Sequence, residues 1–138
     1  MIRSIGAFLA GLAAWVVIVS LLDRGLRIGI PGYAVAEPAM HFTLFMQLAR
    51  LSIAAVTSVL AGAIMGAIAP PRPGSLVTLL LGVLLLAAFI PEHVRLWALF
   101  PVWYHLAFLV PLLPLLFLGR AWVRALRPAA LDPAAQHA

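Results

Sequence analysis

Four long stretches of this chain carry no charged side chain, and that feature decides which solvent it folds in. Ile5 to Leu22, Leu51 to Ile68, Leu76 to Ile90 and Val102 to Gly119 each run for 15 to 18 residues, dominated by Leu, Ala, Val, Ile and Gly. A helix crossing a bilayer needs about 20 apolar residues, within a range of about 17–25. Inside hydrocarbon every backbone N–H and C=O must be satisfied within the segment, so such stretches are helical. The composition agrees: 65% of the 138 residues are hydrophobic and 9% are charged. A soluble domain carries roughly 25% charged residues, so this chain cannot clothe a globule in polar surface. The fold class is therefore an all-α integral membrane protein, a four-transmembrane-helix bundle forming one unit over residues 1–125.

The flanking residues set the spans at about 5–22, 41–69, 75–91 and 101–119. Eighteen uncharged residues in the first exceed the roughly 7–15 of a signal peptide. The cleavage-like Ala34-Val35-Ala36 also lies far beyond that stretch, so the segment reads as a retained span. Asp23 and Arg27 stand four apart in the acid-first order, which lets the first helix continue with that pair on its surface. Pro31-Gly32 signals a turn, and Glu37-Pro38 can start a helix. Nothing breaks a helix from His41 until Pro70-Pro71. Those 29 residues would rise about 43 Å against a hydrocarbon core of about 30 Å, so the His41–Arg50 part must project, tilt or lie inside protein. Ser75 is the expected N-cap of the third span, and Pro91 to Phe100 reads as an interfacial segment. Pro111 and Pro114 lie inside the fourth span and free carbonyls that neighbouring groups must satisfy. Residues 126–138, rich in Ala and Pro, are the expected flexible tail.

The net charge of +5 comes from nine basic residues, all of them arginine, that flank apolar segments instead of forming one patch. That is a topology signal and not a nucleic-acid signature. Arg3, Arg72, Arg120, Arg124 and Arg127 fall on the side of the termini, against Arg24, Arg27 and Arg95 on the other. The bias places both termini in the cytoplasm and makes the loops after spans one and three the outer ones. Trp97, Trp103 and Tyr104 fit an outer aromatic belt, and Trp122 the inner interface. Arginine without lysine, with heavy Ala and Leu use, suits a GC-rich bacterial genome and hence an inner membrane. No cysteine is present, which excludes disulfides and thiolate metal sites.

Two constellations stand out. Ala54, Ser58, Gly62 and Gly66 recur every four residues behind Arg50, giving a stripe of small side chains along which backbones approach closely. Packing inside the subunit is favoured for it over oligomerisation, with Gly6, Ala10 and Ala14 of the first span as a partner stripe. The second is an outer polar cluster of Glu37, His41, Arg50, Glu92, His93 and His105. A charged group within a span is costly and normally faces protein or a wet cavity, so Arg50 is expected to pair with Glu37 or Glu92, snorkelling being the competing reading. The histidines lack a ligand spacing such as HxxxH, so no metal, cofactor or catalytic residue is assigned.

The chain resembles a group of small four-helix bacterial membrane proteins with no known activity. The resemblance rests on Pro31-Gly32-Tyr33, on Ala36-Glu37-Pro38-Ala39-Met40, on Arg50, and on Pro101-Val102-Trp103-Tyr104-His105-Leu106. It implies that the outer loops and Arg50 are features of the group.

Scarce reactive groups and plentiful close-packing residues point to a non-enzymatic inner-membrane protein, a homo-oligomer or an accessory subunit of a larger complex, with lipid as its solvent and no nucleic-acid partner. One alternative is a small channel or transporter assembled around Thr43, Gln47, Arg50 and Ser58. It is weakened because the inner half of that span offers only Ser58 and glycines as lining. Another is a membrane redox or enzyme component using the outer His and Glu residues.

Overall fold

A computed structural model describes residues 1–70 and 73–126, which form five helices and no strand. They are α1 (Ile2–Gly29), α2 (Tyr33–Ala36), α3 (Leu44–Ile68), α4 (Pro73–Arg95) and α5 (Val102–Leu126). All but α2 are long and apolar enough to cross a membrane.

Local chemistry explains the helix ends. Helix α1 runs to Gly29, carrying the Asp23–Arg27 pair with Nε 3.2 Å from Oδ2. Gly32 then sits at φ 79°, a left-handed conformation that a Cβ disfavours, and turns the chain into α2. Helix α3 starts at Leu44 and not at His41, because the Thr43 hydroxyl accepts the Met46 N–H at 3.3 Å and caps it there. It stops at Ile68, since Ala69 is extended ahead of Pro70.

Helix α4 departs most from expectation. It opens at Pro73, ahead of Ser75, and continues through Pro91 to Arg95 instead of yielding to an interfacial segment. Proline gives up one helical hydrogen bond, a loss that packed neighbours in an apolar bundle can accommodate. His93 consequently rides on a helix. Helix α5 contains Pro111 and Pro114 and extends beyond Gly119 to Leu126. Arg72, Arg127 and the rest of the expected tail lie outside the described residues.

The four long helices form a ring in the order α1–α3–α5–α4. Helix α3 packs most extensively on α5, then on α1, while α4 closes the ring against α5 and α1. One core cluster contains Ala7, Trp15, Ala61, Met65, Leu81, Leu85, Leu112 and Leu116; a second, aromatic one contains Tyr33, Phe42, Met46, Phe100 and Tyr104. The outward faces carry many exposed Leu, Val and Ile side chains, as a lipid-solvated surface would.

The small stripe of α3 is used within the subunit, but chiefly against α5. A Cβ on Gly62 would collide with the Leu116 carbonyl, one on Gly119 with the Val59 carbonyl, and one on Gly66 would come within 2.9 Å of the Arg120 Cα. The backbones meet there. Ser58 turns to α1, accepting the Trp15 indole N–H at 3.2 Å. Of the expected partner stripe on α1, Ala14 packs against the core, but a Cβ on Gly6 would meet nothing within 4 Å. Ala7, Gly11 and Trp15, one residue further round, face the core. At the same end, Arg3 donates to the Ile68 carbonyl at 3.4 Å, placing a cation at the C-terminus of α3.

Candidate functional site

At the opposite end of the bundle, Arg50 is the centre of a polar cluster. It sits on the second turn of α3, where α1, α2 and α5 converge. Its Nη1 donates to the Tyr33 hydroxyl at 2.8 Å and its Nε to the Tyr104 hydroxyl at 3.3 Å. The Phe42 ring covers one face of the guanidinium, 4.7 Å from its centroid. The nearest carboxylate oxygen is Asp23 Oδ1 at 3.9 Å, an ion-pair distance and not a hydrogen bond. That same oxygen accepts the Tyr33 hydroxyl at 3.2 Å.

The acids expected for Arg50 are held elsewhere. Glu37 takes Arg27 at 2.7 Å, and Arg27 also holds Asp23. Glu92 pairs with Arg95 at 3.3 Å, three residues along the same helix and largely exposed. Arg50 therefore points inward, with Asp23 and two phenols in place of Glu37 or Glu92. Burial pushes the Tyr33 phenol up to about 12, with Arg50 pulling in the opposite direction.

Of the six residues in the expected cluster, the structure joins His93 to His105, with their Nδ1 atoms 2.8 Å apart. One imidazole must donate and the other accept, so a neutral pair shares one proton. Trp97 stacks on His105 at 4.6 Å between centroids, and the His105 Nε2 is buried with no partner among the described residues. His41 is exposed and joins neither group. No set of three or more His, Cys, Asp and Glu side chains converges as metal ligands among the described residues. Tyr104 belongs to the cluster and not to an outer aromatic belt; it is buried, while Trp97 and Trp103 are exposed.

Asp23, Tyr33 and Tyr104 were missed as Arg50 partners. The available signal was depth: Asp23 is the first charge after the first apolar stretch, as Arg50 is the last before the second.

Two cavities flank the cluster. One, of about 310 Å³, lies between the four long helices, with Asp23, Glu37, Arg50 and Ser20 at its polar side and Trp15, Phe89 and Phe108 among its apolar walls. The other, of about 250 Å³, is bordered by Glu92, His93, Arg95 and His105. Arg50, Phe89, Tyr104 and Phe108 belong to both. Rings run in contact from Trp15 to Phe89, Phe108 and His93, each step 4.7–5.0 Å between centroids.

Fold and site together define a multi-pass class of helical bundle with a polar pocket at one end. Searches against family models, curated proteins and solved structures found no match.

Proposed function

We propose that the chain is a non-enzymatic protein of a bacterial inner membrane, with both termini in the cytoplasm, that holds a small molecule in the outer half of its bundle. The 310 Å³ cavity carries this reading. Concave sites with mostly apolar walls and a few convergent polar groups are the usual form of small-molecule sites, which span roughly 300–1,000 Å³. The arginine bias supports the orientation, and the arginine-only basic residues support the bacterial source. Service within a larger membrane complex fits the same reading, with lipid-facing sides left for a partner because the small stripe is spent inside the subunit. A pore through one subunit is disfavoured, since Met65, Leu81 and Leu116 fill the other half of the bundle.

Native mass spectrometry of the full chain, released from a neutral detergent, tests the binding role. A small molecule should remain bound to the wild type and be lost when Ala54, which lines the cavity, is replaced by Phe. Retention of the same molecule by A54F would remove the cavity from the account. Reporter fusions after Arg72 and Ala138 test the orientation, and periplasmic activity at either would overturn it.

A second reading rests on His93 and His105. Their shared proton suits a proton-handling component of a redox assembly, in line with the enzyme alternative. A visible absorption spectrum of the pure protein separates the two, since a redox carrier would bring a chromophore.

A further inference from the structure

We propose that the Arg50 cavity takes a single-chain anionic amphiphile, its carboxylate or phosphate head against the Nη2 edge of Arg50 and its tail along Trp15, Phe89 and Phe108; this rests on the small-molecule reading above.

Charge is unequally shared beside the cavity. Two carboxylates, Asp23 and Glu37, and two guanidiniums, Arg27 and Arg50, form one network here, but not evenly. Arg27 holds both acids, Asp23 at 3.2 Å and Glu37 at 2.7 Å. Arg50 donates a hydrogen bond to neither. Its two bonds go to neutral phenols, and its one carboxylate contact is long and already engaged by Tyr33. A partly buried cation is costly unless a counter-charge reaches it. The Phe42 ring offsets part of that cost through its face, and an anion would offset the rest.

Geometry says where the anion goes. A guanidinium presents five N–H donors in a planar fork. In Arg50, Nε and Nη1 are committed, while Nη2 has no partner among the described residues. A planar edge with two free donors matches a carboxylate or phosphate oxygen. A cationic head is disfavoured, because the acids that would attract it are held by Arg27. Glu92 and Arg95, bordering the second cavity, pair with each other and contribute little net field.

The remainder of the cavity selects the tail. Trp15, Phe89 and Phe108 stand in ring contact, and Val19 and Ile53 complete an apolar lining with no charge beyond the head region. About 310 Å³ suits one alkyl chain and not a two-chain lipid.

The test uses the full chain in a neutral maltoside detergent, with apparent affinities read by native mass spectrometry for dodecanoate, dodecyl phosphate and dodecanol. Both anions should bind about tenfold or more tightly than the alcohol, the order expected for a charge-assisted contact. Whichever anion is tighter identifies the head. Arg50→Gln should remove the preference, so that both anions bind this variant no more tightly than dodecanol does. Asp23→Asn guards against a folding defect in that variant: it removes the only carboxylate within 4 Å of Arg50 among the described residues and should tighten anion binding several-fold. Equal binding of all three probes, or an anion preference that survives Arg50→Gln, overturns the anionic head and leaves the cavity reading standing. Binding of none of them, by a protein that also retains no molecule of its own, overturns both.

Discussion

The two ends of the bundle are built on opposite terms. Where α3 crosses α5, glycines face carbonyls and there is no room for one methyl group. About 18 Å further along α3, by the rise per residue, the same helix presents Arg50 among phenols and rings, and cavities open beside it. Small residues allow contact without allowing chemistry. Large polar ones do the reverse, holding neighbours apart around groups that need partners. The tight end supplies close contact, and the other supplies open space beside polar groups.

The largest expected effect lies at the tight end. Gly62→Ala and Gly119→Ala each place a Cβ against backbone, which cannot rotate away as a side chain can. Each should cost about 3 kcal/mol or more, at or above the upper end of ordinary overpacking. Thermal unfolding in detergent measures this. Alanine tolerated at both positions would show that α3 and α5 do not touch there, and the comparison would break.

A smaller effect is expected at the Arg50 end. Arg50→Leu removes two hydrogen bonds and a long ion pair, a loss of about 1–3 kcal/mol. Double-mutant cycles sharpen the assignment. Coupling to Tyr33→Phe should be about 0.5 kcal/mol or more, as for residues in one network, and coupling to Glu92→Gln close to zero. Coupling to Glu92 and none to Tyr33 would reverse the pairing described.

Much of this architecture was legible in the sequence, and what escaped shares one cause. Hydropathy is a local sum, so the four apolar helices could be read directly. The i, i+4 stripe was readable because a helix is periodic. Its partner was not: Gly119 looked like the end of a span, and no local rule says that α5 lies beside α3 with that glycine at the crossing. The Arg50 cluster was misread for a related reason. Taking the acids of the outer loops pointed to Glu37 and Glu92, yet Arg27 and Arg95 compete for them at close quarters. The phenols that replaced them carry no charge to betray them. The His93–His105 contact likewise needed α4 to run through Pro91, against the local meaning of proline.

A further effect concerns pH. Tyr33 titrates at about 12 when folded, against 10 for an ordinary phenol. Its folded-state value is raised, so its contribution to stability is full below pH 10 and falls as pH climbs from 10 to 12. Alkaline unfolding of Tyr33→Phe should lack that decline. An unchanged pH profile would mean that the phenol is wetter than its position beneath α1 and α3 indicates.

The sharing of Arg50 between Tyr33, Asp23 and Tyr104 also bears on how the protein is made. A lone arginine moving into hydrocarbon is penalised by up to about 2.5–3.5 kcal/mol, less near the interface. Chains emerge from the ribosome N-terminus first, so Asp23 and Tyr33 are made before Arg50. The opening hairpin of α1, α2 and α3 thus carries its own escort for the charge, and only the Tyr104 contact waits for the last helix. The front half thus shields the charge in part, and the rear half arrives to complete the site with Tyr104.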